Sequence, residues 1–262
     1  MKPNQLPLHG RHVIVTGGGR GIGAAVADEL ARQGATLTIM GRSQDALDAH
    51  ARDLMDEYSV EVLAVRCDVS DVASVARAFA ASRERYPAPW GLVANAGQAE
   101  AAPFEEITRA HWERMLAVNL TGPFLCMQQV LPAMRAAGGG RIVAVASTAA
   151  VKGYAGIAAY AASKHGVLGL VRSLARETAK EGITVNAVCP GYTETDMARQ
   201  ALDNIMAKTG KAEAEAAKLL VRHNPRGTLI TPAEVAHAVA WLCAPAASAV
   251  TGQAVMVAGG ET

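Results

Sequence analysis

The stretch Val13–Leu30, "VIVTGGGRGIGAAVADEL", decides the fold. A short β-branched run leads into a glycine-rich turn, and an apolar-periodic helix follows at once. Gly17, Gly21 and Gly23 stand in a GxxxGxG spacing, with Gly19 and Arg20 inside the turn and Ile22 opening the helix. Glycines allow positive φ and a close backbone approach, while the helix start offers unpaired N–H groups and the positive end of a dipole. That geometry suits a dinucleotide pyrophosphate. A glycine-rich turn also serves as a plain strand-to-helix connection, so its surroundings must decide.

Further along, "ATLTIM", "EVLAVRCDV", "GLVANAG", "RIVAVAS", "ITVNAVCP" and "QAVMVAG" repeat the strand-length apolar run. They alternate with helical patterns over 22–33, 43–58, 72–86 and 108–137, the last predicted to kink at Pro132. Strand and helix in strict alternation require right-handed crossovers. The expectation is an α/β fold: one Rossmann-type domain spanning 1–262, with a doubly wound, seven-stranded parallel sheet and helices on both faces. A helical, charged insert, "KTGKAEAEAAKLL" (208–220), falls after a strand end and reads as part of a small lid over about 192–227.

Composition narrows the functions. The chain has 262 residues, 50% apolar and 19% charged, with a formal net charge of +1 and no basic stripe, which argues against a nucleic-acid partner. No run approaches the roughly 20 apolar residues that span a bilayer, and "MKPNQLPLHG" lacks a signal-peptide core. A cytoplasmic, membrane-free protein is expected. Cys67, Cys126, Cys189 and Cys243 are scattered singly, as reduced core thiols rather than a disulfide or metal set.

After the second strand the chain reads Gly41, Arg42, Ser43, where an acid would bind the adenosine ribose. Glycine and arginine instead leave room and positive charge for a 2′-phosphate, which favours NADP(H) over NAD(H). Arg20 offers a second charge nearby. Asp68, before Val69 in "RCDVSD", is placed either to meet the adenine amino group or simply to form a turn.

"AAYAASKHGVLG" (158–169) sets Tyr160 and Lys164 one helical turn apart in an apolar stretch. A free phenol has a pKa of about 10, and a neighbouring ammonium is expected to lower it. Ser147, ending "RIVAVAS", can hold a carbonyl oxygen between its hydroxyl and that phenol.

These motifs, together with "NAG" at Asn95, Ala96 and Gly97, "VNLTG" around Asn119, and "VNAVCPGYTETDM" from Val185, closely resemble those of the short-chain dehydrogenase/reductase family. The resemblance covers nearly the whole chain. It implies that Tyr160 is the general acid, that Lys164 lowers its pKa and binds the nicotinamide ribose, and that Ser147 positions the substrate oxygen. Asn119 would complete a proton relay. Pro190, Gly191, Thr193 and Thr195 would flank the nicotinamide, and Asn95–Gly97 with Val118 would line the adenosine ribose. Ala94 and Ala258 depart from common family spellings, away from the chemistry.

Among family members, 3-hydroxybutyrate dehydrogenases and 3-oxoacyl thioester reductases are most similar in the lid. Ala99, Ala149 and Ile157 stand where the former hold a carboxylate, so a neutral 3-oxoacyl thioester is expected. Gly138 and Glu181 stand where carrier-protein reductases have arginines beside the site, with Lys152, Lys180 and Arg135 as partial compensation. Met197, Leu202, Ile205, Met206 and Leu219 read either as an apolar lid over the acyl chain or as a subunit contact. The resemblance implies a homotetramer. Two alternatives stay open: an NAD(H)-dependent hydroxyacyl or hydroxybutyrate dehydrogenase working oxidatively, and a non-catalytic dinucleotide sensor.

Overall fold

The computed structural model describes residues 6–86 and 88–261; the first half of the N-terminal stretch discussed above lies outside them. Among the described residues seven strands form one parallel sheet: β1 (His12–Thr16), β2 (Thr36–Gly41), β3 (Val62–Arg66), β4 (Gly91–Ala94), β5 (Gly140–Val145), β6 (Ile183–Pro190) and β7 (Ala254–Val257). Their order is β3-β2-β1-β4-β5-β6-β7. The winding reverses between β1 and β4, and loops leaving the carboxyl ends of those strands part to leave a crevice.

Side chains alternate across the sheet as the pleat demands. Ile14, Leu92 and Ile142 pack with Val75 and Phe79 of α3 (Val72–Arg85), Met127 of α5 (Gly122–Ala136) and Val167 of α6 (Ala158–Thr178). Val13, Val93 and Val143 face the other layer, among Val26 of α1 (Gly21–Arg32), Leu54 of α2 (Gln44–Tyr58) and Val239 of α9 (Pro232–Cys243). Both faces are covered, which explains the continuous apolar runs. All four cysteines are buried free thiols. The lid comprises α7 (Asp196–Thr209) and α8 (Glu213–Leu220), separated at Gly210, whose φ is +65°.

Helix starts follow local chemistry. Ser43 caps α2 through the Ala46 N–H at 3.4 Å, and Asp71 caps α3 through Ala73 and Ser74. Thr231 and Glu234 form a reciprocal capping box on α9.

The structure corrects the helix expected over 108–137. It divides into α4 (Arg109–Leu116), a π-helical turn (Ala117–Thr121) and α5, while Pro132 lies within α5. The physical reason is Asn119. Its fully buried carboxamide accepts from the Gln98 N–H and donates to the Gln98 carbonyl, both at 2.9 Å, and the widened turn presents it to that backbone. The third strand is also shorter than "EVLAVRCDV" suggests. Asp68 leaves the sheet to accept from the Ser70 N–H and hydroxyl, so of its two readings the turn is the one made by hydrogen bonds here.

At Gly23 a Cβ would lie 2.1 Å from the Gly17 carbonyl oxygen, backbone that cannot swing away. Gly23→Ala is therefore expected to destabilise the fold by about 1–3 kcal/mol in urea denaturation. An unchanged midpoint would show that the turn can relax.

Candidate active site

The glycine turn is braced from beneath. Asn95 Nδ2 donates to the Thr16 carbonyl at 3.0 Å and to the Gly17 carbonyl at 3.4 Å, while Thr16 Oγ1 accepts from the Asn95 and Ala96 N–H groups, each at 3.1 Å. The Asn95 side chain thus supports the turn, whereas the resemblance implied a place along the ribose. Gly17 sits at φ +70° and Gly21 at +56°. Among the described residues no side chain caps the first turn of α1, and that turn contains no acid. Open N–H groups, positive-φ glycines and an acid-free helix start fit an anionic pyrophosphate. Gly19 lies against Ala46 and Leu47 of α2. Ile22 is packed partly against the core behind the turn.

Past β2, Arg42 is exposed, and its charge helps hold the Asp68 carboxyl below its ordinary range, after the larger effect of the Ser70 hydroxyl and against burial. Ser43 is engaged as the α2 cap. Arg20 points elsewhere: its guanidinium pairs with Asp196 at 3.4 Å, linking the turn to the start of the lid. Val69 is buried against Gly122, where a Cβ would meet it at 2.9 Å.

The opposite wall is assembled from β5, α6 and the π-helical turn. Ser147 follows the end of β5, and its Oγ accepts from the Ala149 N–H at 3.1 Å. The Ser147 hydroxyl acts on the Tyr160 phenol, whose pKa it pulls down. Lys164, 5% exposed, donates from Nζ to the Val145 carbonyl at 2.9 Å, and its ammonium lies 5.7 Å from the Tyr160 ring centroid. At Gly97 a Cβ would be 3.0 Å from Asn119 Oδ1 and 3.6 Å from Lys164 Nζ, so this glycine gives both side chains room. Val118 packs against the core from the same turn. Ser147, Tyr160, Lys164 and Asn119 are therefore gathered by the fold.

The electrostatics differ from the sequence expectation. Burial raises the Tyr160 pKa, and the neighbouring Ser147 only partly opposes it. Desolvation likewise lowers Lys164 from 10.5 to about 8. In the chain alone the phenol keeps its proton and the ammonium is eased toward neutrality, because burial disfavours each charged form.

After β6, Gly191 packs on Ala258, Thr193 Oγ1 donates to the Gly191 carbonyl at 3.0 Å, and Thr195 Oγ1 donates to the Thr193 carbonyl at 3.1 Å. A Cβ at Gly21 would touch the Thr195 methyl at 3.4 Å, so this segment from Pro190 runs across the crevice to the glycine turn. Within the lid Leu202, Ile205 and Met206 join Ala216 and Leu220 in a small core of their own, while Met197 is 44% exposed.

Gly138 and Glu181 do not lie beside the crevice. They precede β5 and β6, at the opposite, amino-terminal edge of the sheet, and Glu181 pairs with Arg135 at 2.8 Å. Spacing along the chain cannot show which end of a strand a loop joins to the site. Sequence reasoning also missed Glu261, 4% exposed, whose Oε1 lies 2.6 Å from the Tyr154 hydroxyl and 2.9 Å from Lys152 Nζ.

The short chain dehydrogenase family profile matches residues 11–205, and the chain belongs to this family of NAD(P)-dependent oxidoreductases, which act on C=O and CH–OH groups. It is 41% identical over 257 residues to cis-4-hydroxycyclohexanecarboxylate dehydrogenase of Sinomonas cyclohexanicum, covering 96% of each chain. It is 36% identical over 259 residues to a 3-oxoacyl-(acyl-carrier-protein) reductase of Aquifex aeolicus, covering 98% of this chain and 99% of the relative. Among solved structures it resembles a variant of actinorhodin polyketide ketoreductase with NADPH, at TM-score 0.91 and 38% identity over 95% of this chain and 96% of that one.

His50 supplies a pH handle on the glycine turn. Its Nδ1 faces the Gly18 carbonyl at 2.8 Å and its Nε2 the Asp28 carboxylate at 3.3 Å, so both bonds need the imidazolium. Burial pulls its pKa down, yet Asp28, the Gly18 carbonyl and Asp53 outweigh that and leave it raised above 6.5. A raised folded-state value means the stabilisation is complete below about pH 6.5 and is lost as pH climbs through that value. The urea-midpoint gap between the wild type and His50→Gln should therefore be wider at about pH 6 than at about pH 9; a constant gap would exclude a charged His50.

Proposed function

We propose that the protein reduces a ketone to a secondary alcohol with NADPH, and that its substrate is a 3-oxoacyl thioester bearing CoA or a carrier protein. The observation that carries the reading is the gathering of Ser147, Tyr160 and Lys164 at the carboxyl end of β5. A reduced nicotinamide, when bound, supplies the hydride taken up by the carbonyl carbon. The chain's own residues handle the oxygen and the proton. A phenol kept neutral by burial has a proton to give, and the carbonyl oxygen takes it as the O–H bond of the alcohol forms. Ser147, which lowers the Tyr160 pKa, stabilises the phenolate left behind and orients the substrate oxygen. Lys164, fixed on the Val145 carbonyl and with its pKa brought down to about 8, is suited to return a proton to that phenolate, with Asn119 across Gly97 on the relay side.

NADPH is favoured by Gly41 and Arg42 after β2, and the NADPH-bound ketoreductase neighbour supports it. An uncharged substrate is supported by buried Ala149 and by Ile157. The ketoreductase and 3-oxoacyl reductase relatives support the thioester; the cyclohexanecarboxylate dehydrogenase relative supports the oxidative alternative. A homotetramer is the assembly implied by the resemblance; among the described residues no helix is long and apolar enough to cross a membrane.

Tyr160→Phe is expected to keep NADPH binding, followed by cofactor fluorescence, and to lose about 10²–10⁴-fold in turnover of acetoacetyl-CoA. Substantial residual turnover would remove Tyr160 from the acid role, and tight binding without wild-type turnover of any ketone would favour the sensor. Arg42→Ala is expected to weaken NADPH by about 1.5–3 kcal/mol and NADH much less; equal losses in a titration of both would refute the 2′-phosphate assignment.

A further inference from the structure

The amino-terminal edge of the sheet, opposite the crevice, carries an open recess of about 270 Å³ where the chain enters β1, β4 and β5. Arg11, Ala88, Pro89, Trp90 and Gly138 line it. A Cβ at Gly138 would meet nothing within 4 Å, so that side of the recess is unobstructed. Two guanidiniums share the Trp90 ring: Arg11 Cζ lies 3.6 Å from its centroid and Arg141 Cζ 4.6 Å. The indole N–H donates to the Cys243 carbonyl at 2.9 Å, which fixes the ring. Arg141 is 4% exposed and donates to the carbonyls of Gly140, Gly182, Ala244 and Pro245, at 2.9–3.3 Å. Arg11 is half-buried. Among the described residues neither guanidinium is paired with a carboxylate, and that of Arg11 donates no hydrogen bond. Acids that precede strands at this edge are engaged elsewhere: Glu61, before β3, with Arg85 at 2.7 Å, and Glu181, before β6, with Arg135 at 2.8 Å. His12, also on the recess, adds no charge, because burial takes its pKa to about 4. Burial and, less strongly, the like charge of Arg11 lower the Arg141 pKa, so the two cations feel one another.

We propose that this recess binds a small carboxylic acid with an apolar body, its carboxylate on the Arg11 guanidinium and its body against Ala88, Pro89 and Trp90. The site is separate from the crevice and does not depend on the ketone-reductase reading. A guanidinium lying over an indole face keeps its N–H edge for bonds in its own plane, and a carboxylate matches that fork. Half-burial weakens the competition of water for the charge, and an anion relieves the repulsion between the two arginines. A bare phosphate meets the charge but leaves the apolar wall wet, so the acid is the better fit.

The test titrates benzoate, benzamide and inorganic phosphate into the full chain by calorimetry. Benzoate is expected to bind saturably, and benzamide, with the same ring and no charge, about tenfold more weakly or worse. Inorganic phosphate, which has no apolar body, should also fall clearly below benzoate. Arg11→Met is expected to weaken benzoate by about tenfold or more. Ala88→Asp, at an exposed alanine, should do the same by repulsion, while Ala88→Asn stays within about twofold of the wild type. No saturable binding of benzoate, or benzamide or phosphate binding as tightly as benzoate, overturns the proposal. So does an unchanged affinity in Arg11→Met, which would put the benzoate elsewhere on the protein, the crevice included. Equal affinities in the two Ala88 variants overturn it as well, and that comparison decides by itself should Arg11→Met fail to fold.

Discussion

The hydrogen-bonded seam where β1 and β4 part is the constraint on which the site depends. Thr16 and Asn95 satisfy each other's backbone groups across the switch in winding, at 3.0–3.1 Å. That seam fixes the glycine turn on one side, because Asn95 also reaches the Gly17 carbonyl. On the other side the chain continues at once into Gly97, Gln98 and the buried Asn119 carboxamide. Few residues therefore connect the expected pyrophosphate cradle to the wall that holds Lys164. Buried polar groups of this kind are tolerated only when satisfied, which makes the seam rigid as well as specific.

Around the crevice, burial controls the protonation states. Tyr160 is pushed toward the neutral phenol and Lys164 down to about 8 by the same loss of water. Ser147 pulls the phenol's pKa partly back down, and the ammonium keeps a bond to the Val145 carbonyl at 2.9 Å. A phenol that keeps its proton beside an amine brought down to about 8 is suited to passing a proton near neutral pH. The crevice is also crossed by contacts that need no ligand: Thr195 against Gly21, and Asp196 with Arg20. The latter pair is exposed, at 76% and 84% of the two side chains, so its worth is small and an anion can compete for Arg20.

Where the sequence could be read and where it could not follows from the range of the forces involved. The strand-length apolar runs, alternating with helical patterns, revealed the seven strands, since both signals are local. The 108–137 segment was misread because the cause of its interruption, the bond between Asn119 and Gln98, spans two segments that have no shared pattern. Lys152 was legible only as a surface charge. Its partner is more than a hundred residues away, and no spacing rule joins a loop after β5 to a turn after β7.

By itself the sequence determined the class of fold, the glycine turn, the Tyr160–Lys164 pair and the family, because strand burial, helix periodicity and one-turn spacing are properties of contiguous residues. Only the tertiary structure decided that Asn95 braces the turn, that Gly138 and Glu181 lie at the far edge of the sheet, and that Glu261 closes on Lys152. It also decided that burial raises the phenol's pKa in place of the lowering the nearby cation suggested. Each of these depends on which distant groups share a small volume and on how much water they lose there, and a linear chain records neither.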